Sequence, residues 1–213
     1  MSAIAVLGGT GYAGRHIVAE AAHRGHPVLS VARKAAAERV QGATYVEGTL
    51  LDVPALVREL EGVDVVVSAV APRGDMLGLV RPNLRALAEL LPDDVRLGVI
   101  GGAGGSLVAP GGPRLVDTDA FGEDFKPEAL EAIGVLEDLR DGSADRDWFY
   151  IHPAGGFGSW EPGERTGSYR DGGDVLVTDA EGRSFISGAD FAVAVLDEIE
   201  NPRHSRERFT VGY

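Results

Sequence analysis

The 213-residue chain has no cysteine, which excludes disulfide frameworks, cysteine-ligated zinc and cysteine nucleophiles. It has only two lysines, Lys34 and Lys126, and neither follows a glycine, so no phosphate-binding Gly-Lys loop exists. Positive charge is short overall. Twenty Lys and Arg against 33 Asp and Glu leave a net charge of −13, a poor field for nucleic acid or an anionic membrane. No apolar run approaches the ~18 residues of a membrane span. The first such run, from Ala3 to Leu7, breaks at Gly8 with no basic segment before it. A soluble, cytoplasmic protein without nucleic-acid or membrane partners is the expectation. No serine stands in a Gly-x-Ser-x-Gly setting and no His-Glu-x-x-His pair occurs, so neither a hydrolase nucleophile nor a metal site is expected.

Glycine is what the chain has in excess. Thirty residues amount to about 14 %, roughly twice the ~7 % of average usage, scattered without a collagen period. Tight loops among apolar segments follow. Strands are expected at Ala3–Leu7, Val28–Ala32, Thr44–Val46, Val63–Ala71, Val95–Ile100, Trp148–Ile151, Val175–Thr178 and Phe209–Val211. Helical spacing occupies Gly14–Arg24, Pro54–Glu61, Leu77–Leu91 (with Pro82 disturbing its first turns), Pro127–Arg140 and Ser187–Ile199. In the helix from Pro127, Leu130, Ile133, Leu136 and Leu139 are read as facing inward. Strands alternating with helices argue for an α/β fold, a doubly wound, mostly parallel sheet with helices on both faces. One domain spanning 1–213 is expected, with loops at about 101–126 and 155–185 forming its substrate side.

The first strand runs directly into Gly8-Gly9-Thr10-Gly11-Tyr12-Ala13-Gly14, and a helix follows. In this setting Gly8 permits a tight turn, Gly11 lets backbone approach a pyrophosphate, and Gly14 allows close helix–strand packing. The helix N-terminus offers free N–H groups to the anion. A tight strand-to-helix turn with no ligand is the plainer alternative. At the end of the second strand no acid is present between Glu20 and Glu38; Arg33 and Lys34 stand there instead. Two cations suit a ribose 2′-phosphate better than a 2′-hydroxyl, which favours NADP(H) over NAD(H).

The GGTGYAG turn and the elements after it resemble the atypical short-chain dehydrogenases. The resemblance is closest to their NmrA-like and biliverdin-reductase-B-like branch, which includes NADH-flavin reductases. It covers essentially the whole chain and implies a Rossmann-type fold. It also implies that Thr10 and Tyr12 join the glycines around the cofactor, and that Asp52 meets the adenine amine. Ala69 and Val70 would lie along the adenine ribose, Gly101 and Gly102 near the nicotinamide ribose, and Pro153 beside the nicotinamide. Asp52 has an equally ordinary reading as a helix cap.

The Tyr-x-x-x-Lys pair of alcohol-oxidising relatives is absent, because Ser30 and Gly122 stand four residues before the two lysines. Candidate protic groups are Ser106 in the loop after the fifth strand and His152 at the end of the sixth, with a packed strand-end histidine as the blander reading. His16, His23 and His204 are expected on the surface. Phe121, Phe125, Phe157, Trp160 and Tyr169 supply aromatic surface for a flat ligand or pack the loops. Asp117 and Asp119 are candidates for orienting a polar group. Two functions stay open: an NAD(P)H-dependent reductase of a small flat acceptor such as a flavin or quinone, and a non-catalytic NADP-binding sensor. A homodimer is a possible assembly.

Overall fold

A computed structural model describes residues 1–34, 36–142 and 146–213. Its strands are β1 (Ile4–Leu7), β2 (Val28–Ala32), β3 (Ala43–Glu47), β4 (Val65–Ser68), β5 (Arg96–Ile100), β6 (Trp148–His152), β7 (Arg170–Asp171) and β8 (Glu207–Gly212). Its helices are α1 (Tyr12–His23), α2 (Val53–Glu59), α3 (Val80–Leu90), α4 (Lys126–Arg140) and α5 (Gly188–Glu200). The strands form one sheet in the order β3-β2-β1-β4-β5-β6-β8-β7. Every pairing is parallel except β7 with β8.

Strand periodicity divides the core into two layers. Ile4, Val6, Val67, Phe149 and Ile151 point to one face and pack with Ile17 and Val18 of α1 and with Phe191, Val195 and Ile199 of α5. Ala5, Leu7, Val66, Trp148 and Tyr150 point to the other, against Leu56 of α2, Leu84 and Leu87 of α3, and Val135 and Leu136 of α4. The central strands are buried on both faces, which is why they read as continuous apolar runs. Chain order reverses between β1 and β4, and the crevice above that point is where an open α/β sheet binds ligands.

The expected doubly wound sheet is therefore present, with some differences in its parts. Val63–Ala71 contracts to four paired residues, since Ala69 and the residues after it leave the sheet to form the cleft. Pro82 does not disturb α3. It sits in the first turn, where a missing N–H costs nothing, while the Glu131 carboxylate accepts from the Val80 and Arg81 amides at 2.9 and 3.0 Å. Leu130 of α4 is exposed rather than inward, and Leu139 is only partly buried. No strand forms over Val175–Thr178. Val175 makes a lone bridge to Leu107, and the edge of β8 is instead taken by the short antiparallel β7.

Candidate functional site

Gly8 turns the chain out of β1 with φ +77°, and its amide donates to the Val31 carbonyl at 2.8 Å. The Gly11 amide donates back to the Gly8 carbonyl at 2.9 Å. Gly11 caps α1 without any side-chain hydrogen bond, and the first turn carries no acid. The amides of that turn thus meet no competing side chain, and Gly11, Tyr12 and Ala13 line the cleft above them. This is the arrangement that takes a phosphate at a helix N-terminus. Gly14 lies beneath, buried, where a Cβ would stand 2.2 Å from the Gly8 carbonyl oxygen. Gly9 is also constrained, though by a side chain: its Cβ would fall 2.2 Å from the Ser30 hydroxyl.

From this turn a cleft of about 890 Å³ runs along the carboxyl edge of the sheet. Gly8, Thr10, Gly11, Tyr12, Arg33, Lys34, Ala69, Val70, Gly101, Gly102 and Pro153 all line it. These sequence candidates come from the ends of β1, β2, β4, β5 and β6, brought together because parallel strands end on one edge. The volume and the backbone approach at Gly8 and Gly11 fit a dinucleotide. At the β2 end, Arg33 forms an ion pair with Asp75, a lining residue from the turn after β4. The Arg33 bond and charge hold the Asp75 carboxyl below its ordinary value, and Lys34 adds to the effect. Asp75 was not foreseen from the sequence, since it lies 42 residues from its partner.

At the opposite end, Phe121, Phe125, Phe157 and Trp160 line the cleft beside Ala103, Ala129 and Ala154. The ring of Tyr12 meets Phe157 edge to face at 5.2 Å, and the Tyr12 hydroxyl accepts from the Gly188 amide at 3.1 Å. Tyr12 therefore ties the glycine turn to the start of α5 and to the aromatic loop. The segment around Thr166 is fixed by Asp190, which accepts from the Thr166 amide and hydroxyl and the Gly167 amide, each at 2.8 Å, and from the Tyr213 hydroxyl. Burial alone would raise the Asp190 carboxyl; these donors outweigh it and hold the group below its ordinary value. Arg73 and Glu128, both lining the cleft, are paired with each other through two 2.8 Å hydrogen bonds.

Several candidates stand elsewhere. Asp52 is not on the cleft wall, and its Oδ1 caps α2 by accepting from the Ala55 amide at 3.1 Å. His152 is wholly buried behind the wall, its Nδ1 2.7 Å from the Gly102 carbonyl oxygen, so Nδ1 carries the proton and Nε2 is left without a partner. Burial lowers its pKa to about 4, against the opposing effect of the Gly102 bond. Ser106 is also fully buried, with its hydroxyl unpartnered. Neither faces the cleft. Asp117 pairs with Arg114 and Asp119 is off the wall, while the Tyr169 hydroxyl goes to Asp197 at 3.0 Å. His204 is not a surface residue: it bridges Glu198 at 2.8 Å and Asp171 at 3.1 Å and stacks on Phe209 at 3.9 Å.

The strand order, the glycine turn and the edge cleft define a dinucleotide-binding α/β protein of Rossmann type. Residues 8–202 match the NAD(P)H-binding family, and the chain belongs to it. It is 37 % identical over 212 residues to the Bacillus subtilis protein YwnB, whose function is uncharacterised, covering 98 % of this chain and 97 % of that one. A solved structure of a candidate NADH-flavin reductase from Streptococcus pneumoniae superposes with TM-score 0.89 at 32 % identity, over 100 % of this chain and 99 % of that one. A candidate exported protein from Burkholderia pseudomallei superposes with TM-score 0.84 at 36 % identity, each chain fully covered. Among the described residues no helix is long and apolar enough to cross a membrane, and no group of metal-binding side chains occurs.

Proposed function

We propose that the chain is an NAD(P)H-dependent reductase of a flat aromatic acceptor, a flavin or a quinone, with NADP(H) the preferred cofactor. One observation carries the reading: a single cleft joins the glycine turn to an aromatic pocket, and among the described residues the charged groups beside that pocket, Arg73 and Glu128, are paired with each other. The charged side chains lining the cleft are Arg33, Lys34, Arg73, Asp75 and Glu128, and all but Lys34 are in ion pairs, Arg33 with Asp75 and Arg73 with Glu128. A reduced nicotinamide bound there supplies a hydride. The chain's own part is to orient two flat rings face to face, Phe121, Phe125, Phe157 and Trp160 providing the surface and Gly101 and Gly102 the close backbone. A flavin or quinone takes its proton from water, so the missing Tyr-Lys pair is no handicap. Arg33 and Lys34 stand where a 2′-phosphate is recognised in this fold. The name of the Streptococcus pneumoniae relative points to the same reaction class.

Oxidation of NADPH, followed with FMN, FAD and a small quinone as acceptors, tests the reading. Turnover should rise well above the uncatalysed background with at least one acceptor. Ser106→Ala and His152→Asn should retain it within about tenfold, roughly 1.4 kcal/mol of barrier. A loss of several hundredfold in His152→Asn at unchanged cofactor affinity would identify a general acid and sink the solvent-proton mechanism. Tight NADPH binding with no turnover on any acceptor overturns the reductase and leaves a cofactor-sensing role.

A further inference from the structure

Recognition of the adenosine ribose in this fold classically involves an acid at the end of the second strand, and here the local sequence has none. The fold brings one in from elsewhere. After β4 the chain enters a tight turn, Gly74–Met76, in which Gly74 takes φ +59°, a conformation open to glycine and costly for other residues. Met76 is buried in the core between the sheet and α3, which anchors the turn. Asp75 is thereby turned outward over the end of β2, where it meets Arg33. Arg73, on the same turn, is drawn the other way to Glu128, so it does not neutralise Asp75.

We propose that Asp75 is a specificity-determining residue: it competes with a 2′-phosphate for Arg33, narrows the preference for NADP(H), and lets the site accept NAD(H) as well. The inference rests on the reading of Arg33 as the phosphate-binding group. The Arg33 and Asp75 side chains are 51 % and 70 % exposed, so their pair is weak and exchangeable rather than a structural fixture. A 2′-phosphate carries close to two negative charges. Seated on Arg33 it lies beside the Asp75 carboxylate, which must swing away or repel it. A 2′-hydroxyl raises no such conflict, because it can donate to Asp75 while the ion pair stays closed. Lys34, which makes no ion pair among the described residues, leaves this end of the cleft with one net positive charge rather than two.

The test is calorimetric titration of NADPH, NADH, 2′,5′-ADP and 5′-AMP into the full chain as wild type, Asp75→Asn, Arg33→Ala and the double variant. Asp75→Asn should tighten NADPH and 2′,5′-ADP roughly three- to tenfold, the size of a like-charge contact in high-dielectric surroundings. NADH and 5′-AMP should be unchanged or weaker. The gain should shrink in the Arg33→Ala background, where the competition for Arg33 is gone, which a merely structural role for Asp75 would not produce. If Arg33→Ala weakens 2′,5′-ADP but Asp75→Asn leaves it unchanged, Asp75 does not compete and the inference is overturned with the phosphate site intact. If Arg33→Ala alters neither 2′,5′-ADP nor NADPH, the phosphate site itself is misassigned and the inference falls with it.

Discussion

A Cβ on Gly14 would stand 2.2 Å from the carbonyl oxygen of Gly8 and 2.8 Å from the Gly9 Cα. Both obstacles are backbone, so no side-chain rotation relieves them. Gly14→Ala should therefore deform the turn, lowering stability by about 1–3 kcal/mol and cofactor affinity at least about tenfold. Gly11→Ala meets only the Gly8 carbonyl, at 3.2 Å, and should keep the fold while weakening the cofactor less. Thermal unfolding with NADPH calorimetry separates the two; a wild-type melt and affinity for Gly14→Ala would show that the turn is not tightly packed. The constraint is steric. A charge effect of a new side chain on a bound phosphate is secondary here, because Gly14 is buried under the turn rather than on the cleft wall.

The sheet and its carboxyl-edge cleft were legible because buried parallel strands leave a local signature, short β-branched runs separated by helical spacing. The glycine turn was legible for the same reason: its residues act on neighbours within one strand–turn–helix unit. What could not be read are pairings between distant residues. Asp75 reaches Arg33 across 42 positions, and Asp190 gathers donors from Thr166, Gly167 and Tyr213. The candidate role of His152 came from its place at a strand end, and that of Ser106 from the loop after the fifth strand. The side chain of a strand residue points to one face or the other, and whether that face opens to the cleft depends on what packs over it. Gly105 packs on the His152 ring, leaving a Cβ only 2.6 Å from its Cε1, and the ring is sealed in.

That sealed histidine makes stability depend on pH. His152 is neutral in the fold with a pKa of about 4, against 6.5 for an exposed ring. Between those values the unfolded chain binds a proton that the native protein refuses, so this contribution is complete above about pH 6.5 and is lost progressively down to about pH 4. The loss is on the order of 3 kcal/mol. His152→Asn, which keeps an N–H to offer the Gly102 carbonyl, should flatten the stability profile across that window. Urea unfolding at pH 7.5, 6 and 5 measures it, and parallel wild-type and variant profiles would refute a neutral buried ring.

Asp190 should matter for the shape of the aromatic end without touching a ligand. Asp190→Ala strands the Thr166 and Gly167 amides, and the expected cost is roughly 3 kcal/mol. Asp190→Asn keeps one carbonyl acceptor and should cost less. Because its folded pKa lies below the ordinary value, the carboxylate's contribution is complete above that ordinary value and is lost as pH falls from there through the lower folded pKa. Cleavage by a protease near residues 160–168 should accelerate in Asp190→Ala well before global unfolding; equal cleavage rates would mean that this network does not hold the loop.

The aromatic rim yields the last expectation. Trp160 and Phe125 are 67 % and 61 % exposed on the cleft wall, a wasteful position for large apolar rings unless a ligand covers them. The Trp160 ring is not loose, for it rests on Gly158, where a Cβ would lie 2.1 Å from it. A flat acceptor sliding between these rings gains about 0.5–1.5 kcal/mol from each aromatic contact. Trp160→Ala should accordingly raise KM for the flavin or quinone roughly three- to tenfold, with NADPH affinity unchanged and stability within about 0.5 kcal/mol. Gly158→Ala should give the same kinetic result by pushing the indole off its seat, although Trp160 itself remains. Steady-state kinetics at saturating NADPH would measure both. An unchanged acceptor KM in the two variants would place the acceptor elsewhere in the cleft and deprive the aromatic rim of its role.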